Sequence, residues 1–260
     1  MSITTKGKSI YDMNVQCCTD KGLMRPNNED YFGYYIPEDK KIKEGLGSLF
    51  AVSDGVGSCN AGEIASSESV NVLLQEYYFG NYTNKCPERF KAAYNFTSLH
   101  IYDLAEADGS CNKMKCTLTA ILLKDNKFYI THVGDSKAFL LRNGEFIQLT
   151  KDHSVVGRLI RMGFITKEQA RTHPNKHVIL RSLGERPILP ADFYSGNVQK
   201  GDIFFLCTDG ILEHFTEEEI CDFLIEKKHL TDGIEKLIQV ANERGGYDNM
   251  TVMSIDTDFN

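Results

Sequence analysis

Phe50-Ala51-Val52-Ser53-Asp54-Gly55 and Phe204-Phe205-Leu206-Cys207-Thr208-Asp209-Gly210 are both apolar runs that end in Asp-Gly. A run of this kind forms a strand buried on both faces, so its carboxylate has to sit at a strand tip, on the rim of a packed core. His132-Val133-Gly134-Asp135-Ser136 puts another aspartate in a kink between two strands, while Glu29-Asp30 precedes one strand and Asp248-Asn249 another. The glycine after a carboxylate is expected to let the chain turn away and leave its carbonyl open as a ligand. A single Asp-Gly only punctuates a turn. Acidic strand ends that converge are different, because carboxylates about 4 Å apart repel by roughly 4 kcal/mol per pair at an effective dielectric near 20. Cations make such a cluster tolerable, and a donor set of oxygens without His or Cys selects Mg²⁺ or Mn²⁺.

Around these tips the pattern alternates between strands and helices. Residues 11–18, 31–36 and 49–52 read as strands, followed by helices over 62–78 and 87–107. Ile64, Val70, Leu73, Leu74 and Tyr77 share one face of the first helix, and Phe90, Tyr94, Thr97, Ile101 and Leu104 one face of the second. Strands return at 118–123, 128–132, 138–142 and 146–149, with Asn143-Gly144 as a hairpin signal. Residues 153–190 are charged, carry three prolines and two short helices (155–162 and 167–171), and read as a flap inserted over a surface. A strand at 203–207, a helix capped by Thr216 and Glu219, a helix from near Thr231 to Gly245-Gly246 and a strand at 250–255 complete the chain. Hairpin-linked strand groups separated by helix pairs predict an α+β fold with antiparallel sheets, in one domain over 1–260.

Apolar residues at 42% and charged residues at 25% are globular averages, and the net charge of −7 argues against nucleic acid as a partner. The first seven residues lack the apolar stretch of a secretory signal, and no apolar run is long enough for a membrane span, so a cytoplasmic location without membrane contact is expected. The eight cysteines include no C-x-x-C pair, which favours reduced thiols over zinc. His132 reads as a core-edge histidine and His153 as a hydrogen-bonding hinge at the flap base. Cys-x5-Arg, Gly-x-Ser-x-Gly, a Walker loop and His-Glu-x-x-His are absent. Arg25, five residues before Asp30, is placed to give a phosphate two parallel hydrogen bonds.

Taken in order, Arg25-x-x-Asn28-Glu29-Asp30, Asp54-Gly55-Val56-Gly57, Gly134-Asp135-Ser136, Asp152-His153-Ser154, Thr208-Asp209-Gly210 and Asp248-Asn249-Met250-Thr251 resemble the metal-dependent protein phosphatases of type 2C, in their bacterial branch. The resemblance implies a central β-sandwich of two antiparallel sheets flanked by helix pairs, four layers in αββα order. It implies a serine/threonine phosphatase acting on phosphorylated proteins, substrates of a kinase, by direct attack of a metal-bridging hydroxide, with the chain acting as a monomer. On this analogy Asp54 bridges two Mn²⁺ or Mg²⁺ ions, Asp209 and Asp248 bind one of them and the Gly55 carbonyl the other. Asp30, Glu29 and Asn249 support the site, Asp135 joins Asp209 at a third ion, and Arg25 holds the substrate phosphate.

The chain departs from the family pattern at four places. Val56 stands where many eukaryotic members carry a histidine, Ser58 replaces a glycine, Cys116-Thr117-Leu118 stands about where Gly-Thr-Thr is usual, and Lys137 replaces an arginine. The altered glycine and Gly-Thr-Thr positions motivate a rival reading: a catalytically weak or inactive module that binds a phosphoprotein or signalling partner through the same cleft.

Overall fold

Along β4 (Ser48–Val56) and β11 (Ile203–Cys207) consecutive side chains go to opposite faces, and both faces are covered, which is why the two runs are apolar without interruption. The computed structural model describes residues 3–8, 13–56, 61–83, 85–107, 114–227 and 232–257. The first half of the chain forms β1 (Ile3–Lys8), β2 (Asn14–Asp20), β3 (Asp30–Tyr35), α1 (Lys40–Leu46), β4, α2 (Ala61–Phe79), α3 (Glu88–Ala107), β5 (Lys115–Cys116), β6 (Leu118–Lys124) and β7 (Lys127–Val133). The second half forms β8 (Lys137–Arg142), β9 (Glu145–Gln148), α4 (Val155–Arg161), α5 (Lys167–Arg171), β10 (Asp192–Asn197), β11, α6 (Gly210–His214), α7 (Glu217–Lys227), α8 (Gly233–Glu243) and β12 (Met250–Asp256).

Two antiparallel sheets result, ordered β1-β2-β12-β11-β8-β9 and β10-β7-β6-β4-β3, with β5 paired to the end of β4. Phe50 and Val52 of one sheet meet Phe204 and Leu206 of the other in the central layer. Leu49 and Ala51 face Leu73, Tyr77, Phe90 and Tyr94 of α2 and α3, while Phe205 and Cys207 face Ile220, Leu224, Leu237 and Ile238 of α7 and α8. The layers therefore stack helix, sheet, sheet, helix, as the resemblance implied. Among the described residues no helix is long and apolar enough to cross a membrane.

Several local expectations change. Ile64, assigned to the buried face of its helix, is 45% exposed, because that face is set by Ala65, Val70 and Leu73. β1, α1, β5, β10 and α6 carry too little apolar periodicity to be seen in sequence; β10, for example, alternates only half-buried with exposed side chains. The helix after residue 216 is closed by the expected capping box, with Glu219 N–H donating to Thr216 Oγ1 and Thr216 N–H to a Glu219 carboxylate oxygen. Residues 11 and 12, Ser58 and Thr231, which entered the sequence reading, lie outside the described residues.

Arg89 is buried and closes the end of α2, its guanidinium donating to the carbonyls of Tyr77, Tyr78, Gly80 and Tyr82. Truncation to Arg89→Ala strands these acceptors and is expected to lower urea-unfolding stability by about 2–4 kcal/mol.

Candidate metal centre

Strand pairing brings the first two carboxylates together, since Asp30 at the start of β3 is the register partner of Asp54 near the end of β4. Thr208 ties this corner to the other sheet: its hydroxyl donates to Asp30 Oδ2 at 2.7 Å, and its backbone N–H donates to the Thr251 carbonyl at 3.0 Å. Asp209 follows Thr208 directly and leads into α6, while Asp248 stands just before β12, the neighbour of β11. Asp135 occupies the kink between β7 and β8, with Thr117 beneath it. The Thr117 hydroxyl lies 2.6 Å from Ser136 Oγ and accepts the Asp54 N–H at 2.9 Å, so one side chain sets the spacing of two carboxylate-bearing loops.

Gly55 and Gly210 need a different explanation from the turning role expected of them. Neither has a positive φ: Gly55 continues β4 and Gly210 opens a helix. They are glycine because the backbone closes around them. A Cβ on Gly55 would lie 2.0 Å from the Gly62 carbonyl oxygen, and one on Gly210 would lie 1.9 Å from that of Asn249.

Asn249 pins the loop that carries the remaining groups. Its Oδ1 accepts the Glu29 N–H at 2.9 Å, and its Nδ2 donates to the carbonyls of Lys21 and Asn27 at 2.9 and 2.8 Å. Glu29 in turn offers its carbonyl to the Gly55 N–H at 3.0 Å. Arg25, at the exposed end of this loop, does not stand open for a phosphate: its guanidinium donates to Asp248 Oδ2 at 2.7 Å. Val56, half-exposed just past Gly55, offers no proton donor beside the site.

Asp30 and Asp135 are buried, whereas Asp54, Asp209 and Asp248 are partly exposed toward the opening. Burial pushes the Asp30 carboxyl up to about 7; hydrogen bonds from Thr208 and Thr251 oppose this, and the charges of Asp209 and Asp248 reinforce it. Asp135 is pushed up to about 8 by burial and by Asp209, against the nearby Lys137 ammonium. Asp54 is held well above the carboxylate range by burial and then by Asp30, Asp209, Asp135 and Asp248, and Asp209 is raised by burial and Asp248. The carboxylates thus lie within electrostatic reach of one another and share a deficit of positive charge.

These donors fit hard divalent ions. The set is oxygen only, its members compete for protons in the absence of a cation, and Asp135 Oδ1 is buried with no hydrogen-bond partner. Among the described residues no three Asp, Glu, His or Cys side chains enclose an ion by themselves. Water and backbone carbonyls would complete the coordination of a cation here, and Asp248 would meet it with a carboxylate that already accepts from Arg25 through Oδ2.

The raised carboxyls carry a sign for stability. An unfolded Asp releases its proton near pH 3.9. Folded Asp30 and Asp135 hold theirs to about 7 and 8, so the stability they contribute is complete below about pH 4 and drains away as pH rises through these values. Chelator-treated protein is expected to melt several degrees lower at pH 8.5 than at pH 5.5, at about 2–4 °C per kcal/mol for a chain of this size. Mn²⁺ should restore more of the melting temperature at the higher pH. A chelated melting temperature that does not fall with pH would contradict this electrostatic account.

Some contributors were missed in sequence. Lys137, which stands in place of an arginine, is half-buried with its side chain 12% exposed, ion-paired with Asp152, and donates to the Asp135 carbonyl at 3.3 Å. Burial works against its ammonium, but Asp152 more than offsets that and the pKa is raised. Thr208 and Thr251 stood inside quoted motifs without a role; for Thr208 its place directly before Asp209 was the available signal. Cys116-Thr117 places a hydroxyl on the Asp54 backbone and a thiol on the Ala65 carbonyl, so this departure packs cleanly beneath the site. His132 is wholly buried between Thr119 and the Lys151 carbonyl, and burial together with its neighbour His153 pushes its pKa to about 3. His153 exchanges two hydrogen bonds with Gly134, its N–H donating to the carbonyl and its Nδ1 accepting the N–H.

Over residues 153–190, Lys167 pairs with Glu217 at 2.7 Å, Lys176 with Glu213 at 2.5 Å, and Arg171 donates to the Phe215 carbonyl at 3.0 Å. Between this segment and α6–α7 lies a cavity of about 640 Å³ that reaches Asp135 and Asp209.

Comparison with known proteins bears on the fold and the family. The sequence profile described as protein phosphatase 2C matches residues 26–253. The protein phosphatase PhpP of Streptococcus pneumoniae is 32% identical over 242 residues, 92% of this chain and 96% of that one. The Mycobacterium tuberculosis serine/threonine phosphatase PstP/Ppp superposes with a TM-score of 0.81 at 31% identity, covering 94% of this chain and 98% of its own. A structure of the catalytic domain of the serine/threonine protein phosphatase PstP in complex with two manganese ions gives a TM-score of 0.79 at 30% identity, over 94% and 97% of the two chains. With the sandwich, the ordered motifs and the acidic cleft in agreement, the chain belongs to the protein phosphatase 2C family.

Proposed function

We propose that this chain is a metal-dependent protein phosphatase that hydrolyses phosphoserine and phosphothreonine on substrates of a serine/threonine kinase. One observation carries the reading: strand pairing sets Asp30 against Asp54, Thr208 ties Asp30 to the strand end that bears Asp209, and Arg25 reaches Asp248 from the adjoining loop. Asp54, Asp209 and Asp248, with the Gly55 carbonyl, would hold two Mn²⁺ or Mg²⁺ ions, and Asp135 with Asp209 a third. When bound, the ions supply positive charge to the phosphoryl oxygens and lower the pKa of water.

The chain's own groups do the rest. Asp30, fixed by Thr208, accepts hydrogen bonds from water in the cleft and orients it toward phosphorus. Glu29 and Asn249 hold the loop on which Arg25 sits, so that the guanidinium, once released from Asp248, meets the phosphate at a set distance. Residues 153–190, tied by Lys167 and Lys176 to Glu217 and Glu213, form a flap that limits access from one side. An acidic net charge of −7 suits a protein rather than a nucleic acid substrate, and we take the enzyme to be a monomer of the cytoplasm.

Purified protein with Mn²⁺ should hydrolyse an aryl phosphate and a phosphothreonine peptide and stop on addition of chelator. A rate indifferent to chelator would end the proposal.

A further inference from the structure

The turn before Arg25 and the turn before Asp248 lie against each other. Leu23 and Met24 both donate their N–H groups to the Gly246 carbonyl, at 2.8 and 3.2 Å. Tyr247, next in the turn, donates its N–H to His214 Nε2 and stacks its ring on that imidazole, with centroids 5.1 Å apart. Yet the side chains are displayed: Leu23 is 66% exposed, Met24 69% and Tyr247 58%. Tyr247 has the His214 ring as its partner, whereas Leu23 and Met24 present most of their apolar surface to solvent two residues or fewer from Arg25.

Behind Leu23 the surface continues into a depression of about 560 Å³ over α8. Its floor is apolar, with Cys18 and Ile238 buried, and its rim carries Asp20, Glu235 and Glu243. The cations on α8 and at its C-terminal end are engaged elsewhere, Lys236 with Asp232 at 2.9 Å and Arg244 with Glu219 at 2.8 Å. An apolar floor with an acidic rim complements a side-chain pair that is apolar and basic.

Resting on the phosphatase reading, we infer that this depression docks the stretch of substrate polypeptide next to the phosphorylated residue, and that it selects substrates with an apolar residue followed by a basic one. Continuity with the cleft sets the spacing. Leu23 lies two residues from Arg25, at most about 7 Å along the chain, so a phosphoresidue held at Arg25 brings positions two to four residues away over Leu23. The apolar side chain covers Leu23 and Ile238, and the basic group reaches Glu235 and Glu243.

The test uses the full chain with Mn²⁺ and phosphothreonine peptides that carry Leu-Arg or Ser-Glu, either two and three residues before the phosphothreonine or two and three after. Leu-Arg on one of the two sides should raise kcat/KM about tenfold over Ser-Glu. Leu23→Ser should erase that ratio, and the double replacement Glu235→Lys and Glu243→Lys should shift the preference from Leu-Arg to Leu-Glu, a change that simple loss of structure would not produce. Equal kcat/KM for all peptides, or ratios unmoved in both variants, overturns the docking assignment while the phosphatase reading stands. Absence of Mn²⁺-dependent turnover of an aryl phosphate overturns both.

Discussion

Asp54→Asn is expected to lower Mn²⁺-supported kcat/KM for a phosphothreonine peptide by roughly 10³-fold, at the upper end of what one preorganised electrostatic group supplies. Asp54 is the carboxylate on which the others converge: after burial, its proton affinity is raised by Asp30, Asp209, Asp135 and Asp248 in turn. An uncharged amide there would remove both the proposed ligand and the negative charge that attracts cations. The same substitution relieves repulsion when no cation is present. Chelated Asp54→Asn protein should therefore melt above the chelated parent at pH 8.5, while Mn²⁺ raises its melting temperature less. Activity falling as metal-free stability rises separates this outcome from misfolding, which would lower both. A variant that keeps more than a tenth of the parent rate would remove Asp54 from the centre of the mechanism.

Arg25→Ala should cost roughly 10²-fold in kcat/KM, divided between a higher KM and a lower kcat, because a guanidinium that grips two phosphoryl oxygens binds the ground state and strengthens as charge shifts in the transition state. Arg25→Lys is expected to recover only part of this, since an ammonium cannot make the paired contact. The Arg25–Asp248 ion pair adds a further readout. On the proposed assignment a cation and Arg25 share the Asp248 carboxylate, so Arg25→Ala should bind Mn²⁺ at least as tightly by calorimetry while turning over slowly. Weaker Mn²⁺ binding in that variant would mean that Arg25 supports the metal centre rather than the substrate.

The architecture was legible in the chain because strands and helices leave short-range marks. The runs at 50–54 and 204–207, the alternation from 138 to 149 and the Thr216–Glu219 cap each describe neighbours a few residues apart, and the structure places strands and a capped helix there. Segments without such marks, β10 and α1 among them, escaped because they bury little and hold their places through partners elsewhere. The aspartates were found as residues, through their motifs, although why each is where it is was only half right. Gly55 and Gly210 were expected to turn the chain, and instead they let another backbone approach to about 2 Å of where a Cβ would sit.

Residue type and local period decided which groups could bind a divalent ion and on which strand ends they would stand. Only the folded chain decided what each one touches. Thr208 reaches Asp30 across 178 residues, Arg25 reaches Asp248 across 223, and the Asn249 amide holds a loop more than 220 residues upstream. Such contacts depend on which sheet faces which, and on hydrogen-bond geometry at the scale of tenths of an ångström. No local pattern encodes either, because the free energy that selects them comes from packing the two sheets and their helices as one body.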